Sequence, residues 1–238
     1  MKTKVACSTL IVLLSTLAAG CKPVDESDDL PAKETAVPAV EGWFFRVVSG
    51  YPAAIDLEPV VLFKNGEYYE VGEAPLELLN VPESKKSRPT AWGSWQLKDQ
   101  VYYLTNDKNK SYEYKLGSGN WFPAYPYSST VKLKKGYKRT SGGDYGNGTN
   151  ALAITKIDFL DATHFTQGTN AGVSTPNAGS WEKSTASGTY KVYGNTLEFT
   201  YEEGKVVKKS FAFGATGSPA KPTATLIFIG GDAYTDTE

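Results

Sequence analysis

Cysteine and histidine are nearly missing: of 238 residues two are Cys, at positions 7 and 21, and one is His, at 164. So few soft or nitrogen ligands exclude the Cys and His sets that hold zinc, and leave Cys-His nucleophilic catalysis without a pair. Asp158 and Asp161 lie near His164, but no G-x-S-x-G stretch presents a serine, so His164 reads as an ordinary strand residue. Nor is there a G-x-x-x-x-G-K-[ST] phosphate cradle or an EF-hand run of carboxylates. The glycine-rich segment TSGGDYGNGTN (140–150) reads as a long flexible loop, with ligand gating as a secondary reading. Glu198, Glu202 and Glu203 read as surface strand and turn charges. Neither sign of charge dominates, 25 Lys and Arg standing against 26 Asp and Glu, which gives no electrostatic reason to expect nucleic acid. No catalytic residue, metal ligand or cofactor is therefore expected, and the chain reads as a non-enzyme.

The N-terminus is unlike the rest. Met1, Lys2 and Lys4 form a short basic start, followed by an apolar run from Val5 to Leu17 that is too short to span a bilayer and fits a secretory signal. It ends in LAAGC (17–21), which resembles the lipobox of bacterial lipoproteins: Leu, two small residues, Gly, then the Cys that receives the lipid. On that reading residues 1–20 are removed and Cys21, the sole cysteine left, is the lipid-attachment residue. No intrachain disulfide is then available, and the apolar core alone must hold the fold. Losing Lys2 and Lys4 leaves 23 basic side chains against 26 acidic. Lys22 follows the cysteine in place of the Asp that signals inner-membrane retention in such lipoproteins. The resemblance thus implies attachment to the outer membrane, facing the periplasm or the surface. The lipid-bearing Cys21 opens a tether, residues 21–41, holding Pro23, Pro31 and Pro38, many acids and no aromatic residue. A segment of this composition does not bury enough apolar surface to offset its ordering entropy, and about 20 such residues span on the order of 25 Å.

From Gly42 onward aromatic and β-branched residues alternate with polar ones in short runs separated by Gly, Asn, Asp and Pro, which predicts an all-β body. In VVLFKNGEYYEV (60–71) a two-residue Asn65-Gly66 turn would set Phe63 opposite Tyr68 and Leu62 opposite Tyr69. In GTYKVYGNTLEFTYEEGK (188–205) a Gly194-Asn195 turn sets Val192 opposite Leu197, Tyr190 opposite Phe199 and Lys191 opposite Glu198. The stretch GSWQLKDQVYYLTNDKNK (93–110) repeats that phrase, with Trp95, Leu97, Tyr102 and Leu104 on the equivalent apolar face. Further matches pair Gly42-Trp43 with Gly136-Tyr137, 62–69 with 158–165, 111–116 with 209–214 and 130–137 with 225–234. These predict two repeats of about 95 residues, at 42–135 and 136–238. The expected architecture is an antiparallel meander of about twelve strands, in one barrel-like body with the strand LKKGY shared between repeats, or alternatively in two small barrels in tandem.

The order G-W/Y, F-x-x-x-G-like hairpin, G-x-Y/W with L-x-F/L and a closing strand ending in Tyr resembles the lipocalin-like (calycin-like) domains of bacteria. Its carriers are Gly42, Trp43, Phe63, Gly66, Gly93, Trp95, Gly188, Tyr190, Leu197 and Phe199; the chain departs from the standard pattern in lacking G-x-W in its first strand. The resemblance implies a lipid-anchored envelope protein whose barrel holds a small hydrophobic ligand. Trp92, Trp95, Tyr102, Trp121, Tyr190 and Phe199 are the expected ligand contacts. The other reading is a structural or interaction lipoprotein without a ligand, whose aromatic residues, among them NWFPAYPY (120–127), fill a core, plug a barrel end or dock another envelope protein.

Overall fold

The computed structural model describes residues 36–49 and 55–237. The signal-like segment, Cys21 and most of the expected tether lie outside the described residues. The body is all-β and antiparallel, as its alternation predicts, but the described residues form fifteen strands in two sheets. The first sheet comprises β1 (Val40–Val48), β2 (Asp56–Phe63), β3 (Glu67–Glu70), β4 (Trp92–Lys98), β5 (Val101–Asn106), β6 (Ser111–Tyr114) and β7 (Trp121–Pro123). Its spatial order is β6-β5-β4-β3-β2-β1-β7, and a bridge between Leu116 and Trp121 nearly joins its two ends. One short helix, α1 (Val81–Ser87), links β3 to β4, capped by the Asn80 side chain accepting from Glu83 N at 3.1 Å. The second sheet comprises β8 (Gly136–Asp144), β9 (Asn150–Phe159), β10 (His164–Ser174), β11 (Gly179–Tyr193), β12 (Thr196–Tyr201), β13 (Val206–Thr216), β14 (Lys221–Ile229) and β15 (Asp232–Asp236). These eight strands form a closed up-and-down barrel, β15 returning to β8.

Of the two expected architectures, two tandem units are therefore the one present. The shared strand is not formed: residues 126–135 carry no strand, and LKKGY enters the sheet only at Gly136. Instead this segment crosses to the second barrel, where Tyr125 bridges Phe213, and Tyr127, Val131 and Leu133 pack into the barrel's core. Thr140–Asp144 and Asn150 likewise belong to β8 and β9, so the predicted long loop shrinks to a turn at 145–149. At the N-terminal end β1 begins at Val40, and Val37 already packs against the core.

The duplication has a structural counterpart in strand register. Shifted by 95 residues, Trp43–Val61 becomes Lys138–Lys156, Trp95–Leu104 becomes Tyr190–Phe199, and Tyr102–Tyr114 becomes Leu197–Lys209. Two glycines explain why the motif persists. A Cβ on Gly93 would collide with the Thr105 carbonyl oxygen, and one on Gly188 with that of Thr200, the equivalent atom 95 residues on. Three sequence matches shift under this register: residues 62–69 correspond to 157–164, residues 111–116 to Val206–Phe211, and Trp43 to Lys138, Trp43 facing the contact between units while Tyr137 points into the second barrel; the match of 130–137 to 225–234 has no strand before Gly136.

The Gly194-Asn195 hairpin has the expected pairs, with Gly194 at φ 52°. The Asn65-Gly66 hairpin is displaced by one residue: Leu62 faces Tyr68 and Val61 faces Tyr69. Here Gly66 N donates to Phe63 O at 3.0 Å and Gly66 takes φ 85°, while the Asn65 carboxamide oxygen accepts from Glu67 N at 3.1 Å. A three-residue turn with a left-handed glycine replaces the two-residue one, and it changes the register.

Three cores result. Phe44, Val60, Leu62, Tyr68, Leu104, Tyr114 and Trp121 fill the first unit, while Phe159, Phe165, Tyr190, Phe199, Phe211 and Phe213 fill the lower part of the second. Between them, the odd-numbered face of β1 and β2, with Trp43, Phe45, Val61 and Phe63, packs on Ala212 and Phe228 of the barrel. Ser210 reinforces this contact, its N donating to Glu73 O and its buried hydroxyl to Gly72 O at 2.7 Å.

Candidate ligand-binding site

Strand length creates the site. β11 meets β12 only from Gly188 onward, and β8 meets β15 only at Tyr137 and Lys138, so the distal parts of β8 to β11 project past the rim as a four-stranded extension. Along its inner face, alternation from Tyr137, Ile157, Phe165 and Tyr190 sets out successive cross-strand rows. The lowest, Phe159–Phe165–Gly188–Tyr201, is aromatic; next come Ile157–Gln167–Ala186 and Arg139–Thr155–Thr169–Ser184. Above them Ser141–Ala153–Ala171–Glu182 and Gly143–Ala151–Val173–Ser180 carry mostly small side chains. Large rings meet at the barrel axis below, whereas small groups leave space above. The result is a cavity of about 670 Å³ at the barrel mouth, closed on one side by Ile55 and Asp56 of the first unit and by Tyr145. That volume falls in the range of small-molecule sites.

Its cationic group is Arg139, which reaches Asp232 at 2.8 Å. Burial raises the Asp232 carboxyl above its ordinary value, and Arg139 opposes that shift. Beneath them the Tyr234 phenol is pushed up to about 12, first by burial and then by the Asp232 charge. Asp56 and Glu182 stand exposed at the edge of the cavity.

None of the six aromatic residues expected to contact a ligand lines this cavity. Tyr190 and Phe199 form a cross-strand pair in the filled part of the barrel, Tyr190 lying 4.6 Å from the Phe159 ring and Phe199 4.5 Å from Phe165. Trp95, Tyr102 and Trp121 come together inside the first unit, with ring centroids 6.3 and 5.6 Å apart. Trp121 is fully buried against Phe44 and Tyr114, and its indole N–H has no hydrogen-bond partner among the described residues. Trp92 lies on the other face of that sheet, donating to Ser84 Oγ at 3.0 Å beneath Lys85. The cavity residues escaped the sequence reading because Ala, Ser and Gly give little strand signal. The alternation Ala151, Ala153 and Ala171, Val173 was the trace available.

A second polar group closes one end of the first unit. Arg46 Nε and Nη2 donate to Glu58 Oε2 at 3.0 and 2.8 Å, and Nη2 also reaches Glu70. Burial works against the guanidinium charge, but Glu70 and Glu58 more than offset it and hold its pKa above the ordinary value. Paired so completely, Arg46 satisfies its surroundings rather than offering a free donor. His164 is the exposed first residue of β10, beside the β9–β10 turn, its Nδ1 held by Asp161 Oδ2 at 2.8 Å and next to Thr163 Oγ1 at 3.0 Å. Those partners are its own sequence neighbours, and they brace a turn. Among the described residues no group of three or more His, Cys, Asp or Glu side chains is arranged to hold a metal. No described helix is long and apolar enough to cross a membrane.

No family model, curated protein or solved structure matches the chain. The barrel and its cavity must therefore be read from their own residues.

Proposed function

We propose that this is a lipid-anchored protein of the bacterial outer membrane, facing the periplasm or the surface, that takes a small, largely apolar molecule into the mouth of its second barrel. The observation that carries the reading is the cavity at the barrel mouth, bounded by Ala151, Ala153, Ala171 and Val173, with Arg139, Asp56 and Glu182 around them. Such a site combines small apolar side chains with polar and charged groups, Ser141, Ser180, Arg139, Asp56 and Glu182 among them, and the latter can orient a small molecule that the former contact. An eight-stranded up-and-down barrel is also the architecture that a lipocalin-like pattern implies. The ligand contacts move accordingly from the aromatic residues to the small ones. LAAGC supports the anchor, with Cys21 as the lipidated residue.

The test is cavity filling. Ala153→Trp is expected to weaken binding of a neutral apolar fluorophore at least about ten-fold, by occupying the pocket, while Tyr102→Leu in the first unit leaves it unchanged. Equal binding by native protein and Ala153→Trp, measured by fluorescence titration, would sink the reading. Lipidation is checked separately by the mass of the N-terminal peptide, which loses its acyl chains in Cys21→Ser.

A further inference from the structure

The four-stranded extension has two open edges, β8 beyond Lys138 and, on the other side, the longer one of β11. From Gly179 to Thr185 β11 is exposed and pairs only with β10. Hydrogen-bond parity determines which groups face the free side. Tyr190 N donates to Thr163 O, so even-numbered residues of β11 turn their amides to β10; Glu202 N donates to Ser187 O, so odd-numbered ones turn the other way. The N–H and C=O groups of Gly179, Trp181, Lys183 and Thr185 therefore point outward, and no backbone partner among the described residues meets them. Trp181 lies beside them, 57% exposed over Gly172 on the outer face.

An edge of this length is a template for another strand. Its charges select which. A two-fold axis normal to the sheet pairs residues of equal parity, and the register that uses the whole free edge centres on residue 182, the next one on residue 183. They set Glu182 against Glu182 or Lys183 against Lys183, and like charges directly opposite are unfavourable. A second copy of this chain is thus disfavoured, whereas a different strand can complement both charges at once.

We propose that the outer edge of β11 from Gly179 to Thr185 is a strand-addition site for an extended segment of another protein, bearing an acidic residue opposite Lys183, a basic residue opposite Glu182 and an apolar residue opposite Trp181. The partner runs antiparallel to β11, hydrogen-bonded to the odd-numbered residues. The same stretch borders the barrel cavity through Ser180 and Glu182, but strand addition uses its outward backbone groups and does not depend on a ligand in the cavity.

The probe is a capped seven-residue peptide with Glu, Lys and Ile at its third, fourth and fifth positions, and its control exchanges the Glu and the Lys. With the native protein, the first peptide is expected to slow amide exchange at Trp181, Lys183 and Thr185, and to bind about five-fold more tightly than the control. Lys183→Pro removes an outward N–H while keeping the β10 ladder, and is expected to weaken binding about ten-fold. The double exchange Glu182→Lys with Lys183→Glu is expected to reverse the preference between the peptides, a result that loss of folding cannot produce. Equal binding of both peptides, no binding at millimolar concentration, or protection at another edge would overturn the proposal. So would dimerisation of the native protein with protection of the same amides, which would make a second copy the occupant.

Discussion

Tyr234 lies 7% exposed beneath the Arg139–Asp232 pair, with its phenol raised from 10.0 to about 12 by burial and the neighbouring carboxylate. The folded state thus holds this proton more tightly than the unfolded chain. The associated stability is fully present below pH 10 and is lost as pH rises through about 12. Over that window the loss is roughly 2 to 3 kcal/mol. Tyr234→Phe is expected to flatten the fall in urea-unfolding free energy between pH 10 and 12 by about that amount; an unchanged slope would show that the phenol ionises as freely in the fold as in the chain. Asp161 shifts the opposite way. The amides of Thr163 and His164 hold its carboxyl well below the usual range, so what it contributes is present above the ordinary aspartate pKa and lost as pH falls. Neither shift was legible in the sequence, because each depends on which atoms the fold brings near an ionisable group.

At the scale of elements, hairpin chemistry was the most readable feature and also the most easily misjudged. TYKVYGNTLEFTY has its predicted pairs, since Gly194 takes the left-handed conformation and a two-residue turn follows. KNGE differs because the Asn65 side chain caps the amide of Glu67 and shifts the left-handed residue to the last turn position, an outcome that Asn-Gly alone does not distinguish. The helix α1 was missed, although Asn80 with Pro82 and Glu83 is a recognisable start; its brevity hid it. The projecting strands were missed for a physical reason: the small residues that open the cavity also lack β propensity. Gly93 and Gly188 are different, because the Thr105 and Thr200 carbonyls pass where a Cβ would stand. Gly93→Ala and Gly188→Ala are each expected to lower stability by about 1 to 3 kcal/mol, the range for forced overpacking, measured as shifts in urea midpoint. A change within error at both would mean that sheet coiling does not require these glycines.

At the scale of the whole molecule, the two units share a core. Trp43, Phe45 and Phe63 of the first bury Ala212 and Phe228 of the second, and the Ser210 hydroxyl is satisfied only by Gly72 across the contact. Removing one unit would expose that surface and strand those polar groups. Unfolding is therefore expected as one transition. Tryptophan fluorescence, which reports chiefly the first unit through Trp43, Trp92, Trp95 and Trp121, should coincide with the near-ultraviolet signal of the barrel tyrosines in Phe substitutions of the former. Two separated midpoints would show that the shared core is energetically minor. The sequence contained the duplication but not this contact, because Trp43 and Tyr137 look equivalent in a string of letters while facing opposite sides of their sheets.

The segment that packs into the second barrel from before its first strand bears on how such a molecule can be taken apart. Tyr125, Tyr127, Val131 and Leu133 precede Gly136, yet they belong to the core of the barrel that begins there. The boundary of the repeat and the boundary of the folding unit are consequently different points on the chain. A transplanted barrel must begin no later than Tyr125, because one cut at Gly136 strips these side chains from its core, however well the duplication is aligned.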